Sequence, residues 1–241
     1  MLSSHGYQIM FETYFAYILR KPIPCFSTFI TLLPIVLIIT RKAYLDPTFK
    51  LLLLYLLFKL ITDLLIFHSA VRQQNSIVYF NTSIPIFYSL LAGTFYYKFR
   101  SRAYKKGILY SIAGFMVFAI WDISNSNVGI TDFQNHRAVL FAKTVEGVLI
   151  IVLILLYFYE IINSLVIPDL LTFPFFWVCS GLLLYYSSFI FIAPILHYTA
   201  TWKNIQDLGI ARTVPYIFEI VCALLFSVGV YHFSADDYAK Q

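Results

Sequence analysis

Along this chain, long apolar runs alternate with short polar linkers. "LLLLYLLFKLITDLL" (51–65) and "EGVLIIVLILLYFY" (146–159) are typical of the runs. A transmembrane helix needs about 20 mostly apolar residues. The stretches near 22–40, 50–70, 78–97, 107–123, 138–160, 174–197 and 213–233 meet that length. The pattern predicts an all-α, polytopic membrane protein built as a seven-transmembrane-helix bundle. Short linkers make sequential helices antiparallel neighbours. Pro34 lies in the first span and Pro85 in the third, where a proline frees a carbonyl and bends the helix. Residues 7–21, "YQIMFETYFAYILRK", are amphipathic and too short to span. They predict an interfacial helix leading into the first span. The expected organisation is an N-terminal interfacial segment (1–21), a transmembrane domain (22–234) and a short tail (235–241).

Composition supports that reading. The chain is 60% hydrophobic and 12% charged, with a mean hydropathy of +0.78. Soluble domains carry about 25% charged residues. The net charge of +5 does not imply nucleic-acid binding. Its basic residues sit in linkers, where they set topology and meet anionic headgroups. Arg41, Lys42, Lys50, Lys98, Arg100, Arg102, Lys105, Lys106 and Lys240 fall on one side. Arg20, Lys21, Arg72, Arg137, Lys203 and Arg212 fall on the other, nine against six. The expectation is a multi-pass inner-membrane protein with its N-terminus outside and its C-terminus in the cytoplasm. No basic start, apolar run and small-residue cleavage site open the chain as in a secretory signal peptide. Cys25, Cys179 and Cys222 share no metal-like spacing and read as small buried hydrophobes.

The ionisable residues within the spans add candidate chemistry. With helices alternating in direction, Asp63 and His68, Asp122, Lys143 and Glu146, His197, and Arg212 with Glu219 all fall toward one leaflet. Ionisable groups at membrane depth are costly, by about 2.5 kcal/mol or more, so they pair or line a wet cavity. Lys59 and Asp63, four apart, share a helix face, as do Lys143 and Glu146, three apart. Alternatively Lys143 or Glu146 bonds Asp63 or Glu219 across the bundle. These residues predict a polar vestibule open on the outer face and closed halfway down. Asp63, Glu146 and Glu219 would supply acceptors, Lys143 and Arg212 donors, and Tyr88, Tyr185 and Tyr216 shape. A structural ion-pair network is the plainer reading of the same residues. His68, Asp122 and His197 sit at helix ends, where polar residues are ordinary. The alternative makes these three, with Glu219 as a further candidate, ligands of a catalytic metal. Several chemistries have no motif here: a retinal-anchoring lysine in the last span, a Gly-rich phosphate loop, a Gly-x-Ser-x-Gly elbow or a His-Glu-x-x-His helix.

"LLLLYLLFKLITDLL", "FWVCSGLLLYYSSFIF" (176–191) and the "YFYE" end of the fifth span resemble a family of small seven-helix bacterial inner-membrane proteins with no assigned activity. The most distinctive part is Phe176, Trp177, Ser180, Gly181, Leu183 and Tyr185. The resemblance implies the seven-helix topology. That family often carries an acid about three residues after the proline of the third span, where this chain has Tyr88. Ceramidase-like seven-helix hydrolases usually have paired histidines in a late helix, whereas His232 is alone. The expected function is therefore binding or sensing of a small polar or amphiphilic ligand, with a partner in the membrane or cytoplasm transmitting the signal. A metal-assisted lipid hydrolase and an accessory subunit of a membrane complex are the alternatives. No cofactor is implied. The expected partners are the bilayer, the signalling partner and further copies of the chain.

Overall fold

The structure, a computed structural model, describes residues 4–127, 135–164, 170–199 and 208–233. The tail 235–241, Lys203 and the side chains of His197 and Arg212 lie outside the described residues. The described segments fold mainly as α-helices joined by short linkers: α1 (Ser4–Arg20), α2 (Pro22–Ile30), α3 (Leu32–Thr40), α4 (Pro47–Val71), α5 (Ile77–Lys98), α6 (Arg102–Ser126), α7 (Leu140–Ser164), α8 (Pro174–Thr199) and α9 (Leu208–Tyr231). Among the described residues, seven helices are long and apolar enough to cross a membrane, with α2 and α3 together forming the first. The chain is a multi-pass integral membrane protein, and the bundle expected from the hydropathy pattern is present.

Local chemistry explains where the helices start and stop. Pro47 opens α4, and Asp46 caps it by accepting the Thr48 N–H at 2.7 Å. Lys42 takes a left-handed conformation after α3 (φ 55°), and Gln73 does so after α4 (φ 56°). Such residues reverse the chain at a helix C-terminus. The first span is interrupted at Thr31. Pro34 has no N–H to offer the Ile30 carbonyl, so the helical ladder fails one turn before it. Pro85 leaves α5 continuous. Ser89, one turn later, donates its hydroxyl to the Pro85 carbonyl at 2.7 Å.

Neighbouring spans are antiparallel, as the short linkers require. Gly181 and Gly229 of α8 and α9 pack against Cys222 and Pro174 respectively. Tyr157 of α7 meets Phe175 of α8, and Tyr55 of α4 meets Phe87 of α5. The last span closes on the first: α9 packs along α2 and α3. The amphipathic segment forms α1, which lays Tyr14 and Tyr17 on Phe67 near the end of α4.

The two halves of the bundle are built differently. Where α5 and α7 end and α8 begins, Phe95, Phe99, Tyr157 and Phe175 form an aromatic cluster, edge-to-face with centroids 5.1–6.1 Å apart except for the tilted Phe95–Phe99 pair at 6.4 Å. Charges at this end serve helix termini. Asp46 pairs with Lys98 at 2.9 Å, and Glu160 accepts the Ser101 N–H at 3.1 Å. The opposite half, where α4 ends and α7 and α9 begin, holds charges well inside the spans.

Among the described glycines, helix contact is closest at Gly229, where an added Cβ would lie 2.6 Å from the Pro174 carbonyl oxygen. Gly229→Ala should destabilise the bundle by about 1–3 kcal/mol through overpacking. Gly114, with nothing within 4 Å of an added Cβ, is the control. Gly114→Ala should leave thermal unfolding in detergent unchanged or slightly raised.

Candidate functional site

Lys59 lies near the middle of α4, only 8% exposed. Its helical neighbour Asp63, one turn on, accepts from its ammonium at 2.5 Å. The same ammonium forms an ion pair with Glu219 of α9, and the second oxygen of Glu219 accepts the hydroxyl hydrogen of Ser27 on α2. One lysine and one glutamate therefore tie three helices together at mid-span. Ser27 reaches Glu219 because the interrupted first span lies against α9.

A second pair lies on α7. Lys143 and Glu146 meet at 2.9 Å, and Glu146 is fully buried. Its other oxygen accepts the Tyr186 hydroxyl hydrogen at 2.6 Å. The Lys143 ammonium also faces the rings of Tyr186, Phe189 and Phe87 at 5.3, 5.8 and 5.9 Å. Ring faces attract cations, more so away from water. The register of α7 follows from its first turn. Asp122 of α6 accepts the Ala142 N–H at 2.9 Å. Asn81 accepts the Val139 N–H at 3.1 Å and donates to the Arg137 carbonyl at 2.8 Å. Asn75 holds the His136 carbonyl at 3.0 Å, and Asn127 accepts the Arg137 N–H at 2.7 Å. Clamped by four side chains, the entry to α7 delivers Lys143 and Glu146 to the interior.

The pairs adjoin through aromatic residues. Tyr185 and Tyr186 follow one another on α8 with rings 5.1 Å apart. Tyr185 lies within electrostatic range of Glu219, Lys59, Glu146 and Asp63, and Asp63 within range of Lys143. Between α2–α3, α4, α8 and α9 lies a pocket of about 20 Å³, lined in part by Thr31, Tyr55, Lys59, Tyr185, Glu219 and Cys222. That volume suits a single water-sized group.

Most of the residues singled out in the sequence gather here. Asp63, Lys143, Glu146, Tyr185 and Glu219 belong to the network, and both intrahelical pairs form as their spacing predicts. Glu219 selects Lys59 rather than Lys143. Tyr216, one turn before Glu219, is 38% exposed and does not line the pocket. Tyr88 is fully buried between α5 and α6, where it donates to Ser111 at 2.8 Å and packs on Phe115 at 4.5 Å. It shapes that helix contact instead of the pocket. Ser27, Thr31, Tyr55, Tyr186 and Cys222 also belong to the site. The signal for Ser27 and Thr31 was their place in a proline-interrupted span, where hydroxyls must find partners inside the bundle.

Two of the proposed metal ligands, Asp122 and His68, are engaged elsewhere. Asp122 caps α7, and His68 shares a hydrogen bond between its Nδ1 and the Tyr14 hydroxyl of α1. Among the described residues, no three His, Cys, Asp or Glu side chains gather as metal ligands. Comparison with protein-family models, curated proteins and solved structures finds no match for the chain.

Removing one partner of a buried pair strands the other, at roughly 3–5 kcal/mol. Glu146→Leu should therefore lower the unfolding midpoint sharply in lipid nanodiscs. Adding Lys143→Met should recover part of the loss. A double variant damaged by the full sum of the two single losses would show that the two side chains act independently.

Proposed function

We propose that this chain binds the polar head of a small polar or amphiphilic ligand in the pocket between α2, α4, α8 and α9, and that occupancy is sensed as a change in how these helices are held. The observation that carries this reading is that Lys59 and Glu219, which join α4 to α9, also form part of the pocket wall. An occupant with polar groups competes for the bonds that hold the helices in place. Binding energy is thereby converted into a shift between helix arrangements, as a ligand that prefers one state requires.

The vestibule opens on the outer face of the inner membrane in this reading. The N-terminus lies outside, and the segment 98–106 faces the cytoplasm. Arg100, Arg102 and Lys106 of that segment are exposed. They offer charge to anionic headgroups or to an acidic surface of a signalling partner.

A panel of short-chain alcohols, amines, carboxylates and amino acids, screened by thermal unfolding in nanodiscs, tests the proposal. A true ligand at 100 times its Kd stabilises by about 2.7 kcal/mol. The wild-type midpoint should rise by several degrees with at least one member. Glu219→Gln combined with Glu146→Gln should abolish that rise. An undiminished rise in the double variant would place binding elsewhere, and no rise in wild type with any member would refute a ligand pocket.

A further inference from the structure

We propose that the pocket beside Lys59 and Glu219 is a site for the ammonium head of a small primary amine, which enters in exchange for a proton. The inference rests on the reading of this pocket as a ligand site and adds the ligand's charge and class.

The charge balance points to a cation. Lys143 and Glu146 neutralise each other on α7. Lys59, in contrast, is one ammonium against two carboxylates, Asp63 and Glu219. Among the described residues, one negative charge is left over near the middle of the span. An uncompensated charge at that depth is costly, so the site takes up a proton or a cation. A neutral or anionic ligand leaves this charge unbalanced.

The pocket also supplies acceptors for an N–H-bearing cation. Tyr55 is only 5% exposed and lines the cavity, yet its hydroxyl has no hydrogen-bond partner among the described residues. Tyr185 lines the cavity with its hydroxyl likewise unpartnered. No fully enclosed side-chain oxygen or nitrogen is left unsatisfied among the described residues, so neither hydroxyl is fully enclosed. Phenolic oxygens accept as well as donate. With the Glu219 carboxylate they can receive the three N–H groups of a primary ammonium. The rings of Tyr55, Tyr185 and Phe226 favour a cation further. Leu56 and Ala223 complete the lining with apolar surface for a short alkyl group. The volume of about 20 Å³ admits an ammonium head and little more.

Exchange with a proton follows from the same count. The proton held by the carboxylate pair leaves as the ammonium enters, and the charge of the site is unchanged. The charged and titratable neighbours of this pair are Lys59 and Tyr55 on α4, and Tyr185 on α8, with Tyr186 beyond it beside Glu146. On α9 they are Tyr216 and Cys222, with Tyr17 of α1 beyond Tyr216. On α7 they are Lys143 and Glu146. α2 and the turn after it present the hydroxyls of Ser27 and Thr31, and Cys25 of α2 lies within electrostatic range of Tyr17. Raising the pH removes the competing proton, so affinity should rise about tenfold per pH unit before it levels off.

The experiment is isothermal titration of the full chain in nanodiscs with methylammonium, sodium, ethanol and acetate at equal ionic strength. Methylammonium should bind with release of about one proton on the acidic side of the transition, and the other three should bind at least tenfold more weakly. Tyr55→Phe should weaken methylammonium binding about threefold to tenfold while preserving the fold. Glu219→Gln should weaken it at least tenfold. Tighter binding of ethanol or acetate at a Tyr55-dependent site would overturn the cationic assignment and leave the ligand pocket standing. Sodium binding tighter than methylammonium would overturn the amine assignment. Absence of binding by all four, together with no stabilisation by the broader panel, would refute the pocket itself. Binding that survives Tyr55→Phe and Glu219→Gln unchanged would refute this site.

Discussion

A single ammonium shared by two carboxylates from different helices holds together the charged half of this bundle. In lipid, apolar helix faces gain little by meeting each other, because acyl chains are equally apolar. Leucines and phenylalanines alone leave the rotation of each helix weakly specified. Lys59 changes that. Once it is placed at mid-span, α4 must turn it inward, and α9 must bring Glu219 to it. Ser27 then fixes the first span against α9 through the same carboxylate. Three helices thus have their rotation set by polar bonds, and the pocket forms where they fail to close completely.

The opposite half shows what charge does when it is only structural. Asp46, Lys98 and Glu160 sit at helix ends and satisfy backbone groups or each other. Arg41 donates to the Tyr231 carbonyl at 3.1 Å and stacks on its ring at 4.3 Å. None of these groups lies deep in a span, and the interior between them is filled by aromatic rings. The contrast supports a division of labour. One end terminates the helices and packs tightly, and the other carries paired charges well inside the spans. Cys179, buried on α8, and Cys222, beside the pocket on α9, behave as small apolar residues among these contacts.

Much of this architecture was legible in the sequence. The seven spans were readable because each is long and apolar enough to be recognised alone. The Lys59–Asp63 and Lys143–Glu146 pairs were readable because helical spacing places both members on one face. The partner of Glu219 was not, since the choice between Lys59 and Lys143 depends on how the helices are arranged around the bundle. Tyr88 shows the same limit. Its place after Pro85 suggested a pocket residue, yet the rotation of α5 turns it toward Ser111. Asn81 was legible as a polar residue opening the third span, but its hold on the backbone before α7 was not, and Asn75 and Asn127 escaped notice, because side chains that hold a loop backbone leave no periodic trace. The interruption at Thr31 was foreshadowed by Pro34, but its consequence for Ser27 was not.

The central claim is that Lys59 and Glu219 meet as opposite charges inside the membrane. Exchanging them tests it most directly. Lys59→Glu and Glu219→Lys should each sharply reduce folded protein recovered from membranes, because each leaves like charges crowded at mid-span. The double exchange should restore a substantial share of the folded yield and thermal midpoint. A double variant as impaired as the sum of its two single changes would contradict the account.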